Sequence, residues 1–310
     1  MAGQNMKQAL RAACMAGLVL AAGAGTAPAQ DRVTLGFARL FTNDALGDTH
    51  DRWRTGAYAV SRFRGDRWGG GAPAEFGAIL EQRLRSEIIA PDSLTNPDPD
   101  RRYVGIIAPG LATHWDMRGI EARLGAELVI TGPQTQVGAF QREVHKLIGL
   151  DEPNVLGTQI PNGVHPTLNL ELGRSFMAGE RVTFRPFAEA QIGAEDYLRL
   201  GGDVILGRFG HEGLFTRDTV TGHRVLGIAG TAEPGYSLTL GGDVARISDS
   251  DWLPESGPAV LKDTRSRARA GVHWQGERAE AFYGVTWLGK EYEGQAGGQV
   301  VGSLRLNLSF

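Results

Sequence analysis

The last eight residues of this 310-residue chain alternate small or polar side chains with apolar ones and finish on an aromatic: Ser303, Leu304, Arg305, Leu306, Asn307, Leu308, Ser309 and Phe310. Period two is the pattern of a strand, so Leu304, Leu306, Leu308 and Phe310 share one face. A strand at the end of the chain has no later element to cover it. One apolar and one polar face suit a closed barrel in lipid, whose outer side chains meet acyl chains and whose inner ones meet water. The closing strand of a soluble sandwich would carry the same pattern, so the rest of the chain has to decide.

The other end favours export. Lys7 and Arg11 precede an apolar run from Ala12 to about Ala22, and Ala27, Pro28 and Ala29 follow. A positive region, a short apolar region and small residues two apart make a secretory signal over residues 1–30, cut after Ala29 or Gln30. The run is too short to cross a bilayer comfortably, and no later stretch is long and apolar enough to do so as a helix. The single cysteine, Cys14, falls inside this leader, so residues 31–310 carry no thiol for a disulfide or a Cys-ligated metal. A net charge of −3 gives no reason to expect a nucleic-acid partner. With 44 glycines, the composition suits strands and tight turns more than helices. A terminal Phe preceded by alternating apolar residues also resembles the signal read by the barrel-assembly machinery of bacterial outer membranes.

Turn chemistry divides most of the chain into segments of about ten residues. They fall at 32–42, 53–64, 75–89, 102–113, 118–131, 165–177, 180–194, 197–210, 221–232, 259–275, 276–290 and 298–310. Twelve is even, as an up-and-down barrel with both ends on one side requires. The expected fold is therefore all-β: a transmembrane antiparallel up-and-down β-barrel over residues 31–310, with a short helix in an extracellular loop. That helix is read from Gln134 to Leu150. Val137, Phe140, Val144, Leu147 and Ile148 recur at helical spacing as one apolar stripe, expected to lie against the barrel rim. A second interruption, Pro91 to Arg102, is a fixed non-helical loop rich in Pro and Asp.

His145 is the sharpest candidate for chemistry. It sits on the flank of the helix stripe, one turn from Gln141, where an imidazole can take a proton from water while the amide orients the water or the ring. The same spacing also fits a surface histidine with no task. A second cluster, Asn43, Asp44, Asp48, Asp51 and Thr55, offers hard oxygen ligands of the kind calcium takes, although the spacing is not that of a known calcium loop. A solvated acidic turn explains it equally, unless folding brings His145 nearby. Arg52, Arg54, Arg101, Arg102, Arg142 and Lys146 crowd the same loops, either to meet phosphates or to snorkel at a membrane rim. The remaining histidines show no ligand spacing. No HExxH, GxSxG or Walker-type loop is present.

Five blocks carry a resemblance: Phe41 to Asp44; Asp51 to Gly56; Asn96 to Tyr103; Gly132 and Pro133 with Gln141 and His145 to Gly149; and Glu291 to Gln295. In this order they resemble the outer-membrane lipid A 3′-O-deacylases. The resemblance implies a twelve-stranded barrel with its site at the outer rim, between the wall and an inserted loop helix. It implies a calcium-dependent hydrolase that removes 3′-linked acyl chains from lipid A in the outer leaflet. His145 would then be the general base, and Gln141 would support it from the helix. Asn43 and Asp44 would organise the metal, with Asn43 and Thr55 counted among the catalytic groups and Thr55 beside the oxyanion. Arg52, Arg101 and Arg142 would meet substrate phosphate. The cation would polarise the ester carbonyl, replacing a serine nucleophile; oxygen-rich sites also accept other divalent ions. The chain departs from the family pattern at Trp53-Arg54 and Gly56, and Asn96-Pro97 stands where some members carry Lys-Arg.

The expected partners are lipopolysaccharide as substrate, outer-membrane lipid and the assembly machinery, with the protein a monomer in the bacterial outer membrane. The competing reading is a non-enzymatic barrel, porin-like or structural, which would conduct ions and leave lipid A unchanged. A soluble periplasmic β-sandwich is the third.

Overall fold

A computed structural model describes residues 32–231 and 233–308. The expected leader and the terminal Phe310 lie outside the described residues. Twelve strands form the wall. They are β1 (Val33–Asn43), β2 (Trp53–Gly65), β3 (Ile79–Ala90), β4 (Val104–Asp116), β5 (Glu121–Thr131) and β6 (Gly163–Gly173). After a short connection, in which Phe176–Ala178 pairs back on the start of the next strand, follow β7 (Val182–Ile192), β8 (Glu195–Leu206), β9 (Gly235–Ser250), β10 (Thr264–Gln275), β11 (Ala279–Leu288) and β12 (Gln299–Leu308). Each pairs antiparallel with the next, β6 with β7 included. The ring closes where Phe41, Thr42 and Asn43 of β1 face Leu304, Ser303 and Gly302 of β12. Closure leaves no ladder edge to be solvated, which is what lets a sheet sit in lipid.

Alternation sorts the side chains onto the two faces. On β3, Glu81, Arg83, Arg85 and Glu87 are buried in the lumen, while Leu84 on the other face is exposed. On β12, Leu304, Leu306 and Leu308 are exposed and Arg305 is buried, its Nη1 donating to the Leu226 carbonyl at 2.6 Å. The outward leucines of β12 therefore meet lipid, as the terminal pattern required.

The ninth wall strand is not the one expected. Residues 221–232 do not join the wall. Leu214–Arg217 and Arg224–Ile228 pair as a separate hairpin that folds into the lumen. The wall strand is instead β9, whose Gly241-Gly242 pair resembles turn chemistry in sequence. Both glycines in fact sit in a continuous ladder, between Asp203 and Arg269 and between Gly202 and Ala268. The hairpin strand Arg224–Ile228 has no exposed face, because it is enclosed by wall on one side and its partner on the other. It lies so close to β1 that a Cβ on Gly36 would stand 2.1 Å from the Gly227 carbonyl oxygen.

Two further features seal the interior. Arg217 of the hairpin bonds to Glu171 at 2.9 Å and to Asp203 at 2.9 Å, and Val220 at its turn packs on Leu288 and Val301. Towards the other rim, inward-facing Ile89, Val104, Ile106 and Val129 pack with Trp252 from the β9–β10 loop. Apart from the hairpin insertion, the loops at that rim are the longer set. They mark it as extracellular, and both described ends of the wall lie at the opposite, periplasmic rim.

The long β5–β6 loop carries the expected helix, α1 (Val137–Ile148). Its orientation corrects the expectation. The buried residues are Val137, Gly138, Gln141 and His145, whereas Phe140, Leu147 and Ile148 point away from the wall and are exposed. The polar flank, not the apolar stripe, packs against the barrel.

Candidate active site

The site is built on the outer face of the wall. Phe41 and Tyr58 are each 44 % exposed on the lipid side, and period two puts Asn43 and Gly56 on that same side. Helix α1 is also outside. Val137 rests on Gly105 of β4, where an added Cβ would lie 3.0 Å from the Val137 Cβ, and Gly105 alternates with the inward Val104 and Ile106. Gly138 allows the close approach at the other edge, facing Leu156 and Tyr103.

Three segments converge between helix and wall. At the end of β1, Asn43 caps a short 3₁₀ turn: its Oδ1 accepts from the Ala45 N–H at 2.8 Å, and its Nδ2 donates to the Thr55 carbonyl at 2.8 Å. Asp44 is buried beside it and accepts from the Arg52 N–H at 3.1 Å. At the start of β2 a bulge between Arg54 and Gly56 re-aims the intervening residue. Arg54 turns inward to Glu291, at 2.8 Å, while the Thr55 hydroxyl donates to Asp51 Oδ1 at 2.5 Å. From α1, Gln141 Nε2 donates to the same Asp51 oxygen at 3.4 Å, and His145 Nε2 stands 3.1 Å from Asp51 Oδ2.

The helix end fixes the imidazole. Gly149, in the left-handed region at φ 76°, stops α1 and returns the chain. This brings the Asp151 carbonyl to 2.7 Å from His145 Nδ1. With Nδ1–H donating to that carbonyl, Nε2 is the atom that exchanges a proton with the site. Once protonated, the ring has an acceptor at each nitrogen. The Tyr103 hydroxyl donates to Gln141 Oε1 at 2.9 Å, so the amide NH₂ must point into the site.

Electrostatics single out Asp44. Burial pushes its carboxyl up to about 7, opposed by the Thr55 hydroxyl bond and reinforced by the neighbouring Asp51 charge. Two carboxylates thus share a small volume with hydroxyl and amide oxygens, and among the described residues neither forms an ion pair with a lysine or arginine. That donor set fits a hard divalent cation. No group of three or more His, Cys, Asp or Glu side chains placed to hold a metal ion is present among the described residues, so a cation here would complete its shell with Asn43 or Thr55 oxygens, water or substrate.

His145, Gln141, Thr55, Asn43 and Asp44 are therefore brought together. The pivot is Asp51, which stands in the acidic cluster of the sequence but carries no signal there for its central place. Tyr103 and the Asp151 carbonyl were likewise not foreseen. The three arginines separate. Arg52 is partly exposed, stacked 4.3 Å over Trp53 and 3.2 Å from Asp92. Arg142 is exposed on α1. Arg101 is a correction: it is fully buried and held by Glu291 at 2.7 Å, so it braces the loop and has no open face for a phosphate. The Glu291–Gln295 block explains itself the same way, since the Glu291 carboxylate also takes Arg54 and its backbone N–H donates to the Gln295 side-chain oxygen.

Another imidazole–carboxylate pair lies near the same rim, with His165 Nδ1 2.6 Å from Asp251 and Nε2 3.2 Å from the Thr131 hydroxyl. Thr131 is fully buried, so this alignment ties β5, β6 and the β9–β10 loop together and offers no nucleophile to a ligand.

A closed twelve-stranded wall, with a hairpin folded into its lumen and a polar constellation on its lipid side, defines a barrel of the outer-membrane class. The chain belongs to the family described as Outer membrane protein LpxR, which it matches over residues 10–310. No curated protein matches it by sequence. Among solved structures it is similar to LpxR from Salmonella typhimurium, with a TM-score of 0.74 at 17% identity, covering 89% of this chain and 100% of that one. The NanC porin and the β domain of the Bordetella autotransporter BrkA also align, at TM-scores of 0.42 and 0.38 and identities of 8% and 12%, covering 89% of this chain and 100% and 99% of theirs. The protein is an outer-membrane β-barrel.

Proposed function

We propose that this barrel is a lipid A deacylase, a carboxylic ester hydrolase that removes 3′-linked acyl chains in the outer leaflet with calcium as cofactor. One observation carries the reading. The base, carboxylates, hydroxyl and amide lie on the lipid side of the wall, with Asp51 part-exposed among them, where a substrate already in the bilayer would arrive by lateral diffusion. The hairpin folded into the lumen, tied by Arg217 to Glu171 and Asp203, weighs against the porin-like alternative, which needs an aqueous path.

In this reading His145 Nε2 takes a proton from water as the water oxygen attacks the ester carbonyl. The imidazolium formed is held between the Asp151 carbonyl and Asp51 Oδ2. Gln141 and Thr55 flank the carbonyl, with the Thr55 hydroxyl and the Gln141 NH₂ as donors near the developing oxyanion. Collapse breaks the bond to the sugar 3′ oxygen, and His145 returns its proton to that leaving oxygen. Asp44 and Asp51, with Asn43, would hold the cation, which when bound supplies positive charge at the carbonyl oxygen. Arg52 and Arg142 would meet the lipid A phosphates from the polar side.

The test is mass spectrometry of lipid A from cells expressing the wild-type chain or His145→Ala. Expected are species lacking the 3′ acyl chains with the wild type and none with the variant. Equal deacylation by both would remove His145 from the mechanism.

A further inference from the structure

Helix α1 presents three sectors, not two. At about 100° per residue, Val137, Gln141, His145 and Gly138 form the sector against the barrel. Ala139, Arg142, Glu143 and Lys146 form a polar sector. Phe140, Leu147 and the half-buried Val144 form the third, in which Leu147 is 85% and Phe140 67% exposed; Ile148 falls angularly beside Val137, but in the last turn of the helix it is 61% exposed. Leu150, just beyond the helix, continues it at 53%.

The contacts of the buried sector fix which way the other two face. Val137 lies at one edge of it, on Gly105 of β4; Gly138 lies at the other, under Tyr103 and Leu156. Along β4, Tyr103 precedes the strand on the extracellular side and Gly105 lies a step closer to the bilayer. The apolar sector adjoins the Val137 edge, so it faces down the wall. The polar sector adjoins the Gly138 edge, so it faces up to water. Down the same wall stand the outward Leu111 of β4, Leu84 of β3 and Leu128 of β5, each 44–51% exposed and part of the lipid-facing belt.

We propose that the Phe140–Val144–Leu147 sector, with Ile148 at the helix end, is immersed in the acyl-chain region of the outer leaflet, making α1 an interfacial membrane helix continuous with the barrel belt. An amphipathic helix with cations on its polar face and large apolar side chains on the other lies in the interface plane and dips that face into the acyl boundary. Here the wall anchors the helix laterally, so immersion fixes its depth and roll. If the deacylase reading holds, the same immersion sets His145 at the level of the ester bonds between sugar and acyl chain.

The test uses the absence of cysteine from residues 32–310. Phe140→Cys, Leu147→Cys, Glu143→Cys and Lys146→Cys are each labelled with an environment-sensitive fluorophore and reconstituted in phosphatidylcholine vesicles, with the unsubstituted chain as labelling blank. Heat-modifiable migration verifies the barrel in each, and Ile148→Cys replaces any apolar position that fails it. Probes at 140 and 147 are expected to be quenched several-fold more by doxyl-labelled lipid than those at 143 and 146, with the order reversed for aqueous iodide. Equal quenching at the four positions, or stronger iodide quenching at 147, overturns the proposal. So does shielding of 147 from both quenchers with disulfide formation between unlabelled Leu147→Cys chains, which would make a second copy the occupant. Repeating the set in a His145→Ala background separates the two readings: lateral immersion is expected to persist there whether or not lipid A is a substrate.

Discussion

Carboxylates line both the lumen and the outer rim, but their neighbours differ. In the lumen, Glu171 meets Arg185 at 2.6 Å and Arg217 at 2.9 Å, and Asp243 meets Arg267 at 2.9 Å and Arg199 at 3.2 Å. At the rim, Asp51 meets a hydroxyl, an amide and an imidazole, and Asp44 meets a backbone N–H and lies beside the Thr55 hydroxyl. In the lumen each of these carboxylates is compensated by an arginine, and removing one member of such a pair is costly. The rim pair has no arginine or lysine beside it, and burial pushes Asp44 up to about 7, so this is where a bound cation would contribute most.

Chelation presses hardest on this contrast. EGTA is expected to reduce deacylation by purified protein to background and added calcium to restore it, while the thermal unfolding midpoint in detergent moves little, because the lumen pairs hold without a cation. A large loss of midpoint with chelator would mean that the rim is part of the stabilising framework. Asp51→Asn is next. It removes the shared acceptor of Thr55, Gln141 and His145, and turnover is expected to fall about 100-fold or more, within the range of a lost acid–base arrangement. Turnover within twofold of wild type would show that Asp51 is not the pivot. Arg217→Met attacks the other region. It leaves Glu171 and Asp203 short of a partner inside the barrel, and the expected cost is about 3–5 kcal/mol of unfolding free energy. Turnover per folded molecule is expected to stay unchanged, read by lipid A mass spectrometry against the heat-modifiable fraction.

How much of this was legible in the sequence follows from how each signal is encoded. Strand alternation is local, so the wall, its strand number and the lipid-facing leucines of its last strand were readable. The lumen hairpin was not. Arg224 to Ile228 looks like a short strand in any context, and only its burial on every side excludes it from the wall. The helix was placed correctly, yet its roll was misjudged because hydrophobicity was taken to mean contact with protein. In a bilayer an apolar stripe has a second partner, and the face against protein can then be the polar one. At the site, His145, Gln141, Asn43, Asp44 and Thr55 were named from local pattern and resemblance. Asp51 and Tyr103 owe their roles to contacts across 90 and 38 residues of chain, from Gln141 back to each. No window of sequence displays such a pairing. Arg101 shows the converse error, since a basic residue in a basic loop can be spent internally on Glu291.

The smallest expected effect is also the most discriminating for the helix side of the site. Tyr103 touches neither the ester nor the carboxylates; it holds Gln141 Oε1, and through that oxygen it sets which end of the amide faces Asp51 and His145. Tyr103→Phe leaves the ring in place beneath α1 and removes one buried hydrogen bond, a change of about 1 kcal/mol or somewhat more for the orphaned carbonyl. Turnover on detergent-dispersed lipid A is expected to fall roughly fivefold to tenfold with little change in KM, because the amide is free to turn its oxygen towards Asp51 part of the time. A loss as large as that of Asp51→Asn would mean that the hydroxyl itself reaches the reacting atoms. No loss at all would mean that the amide orientation is irrelevant, and Gln141 would then be a packing residue that happens to lie beside the imidazole.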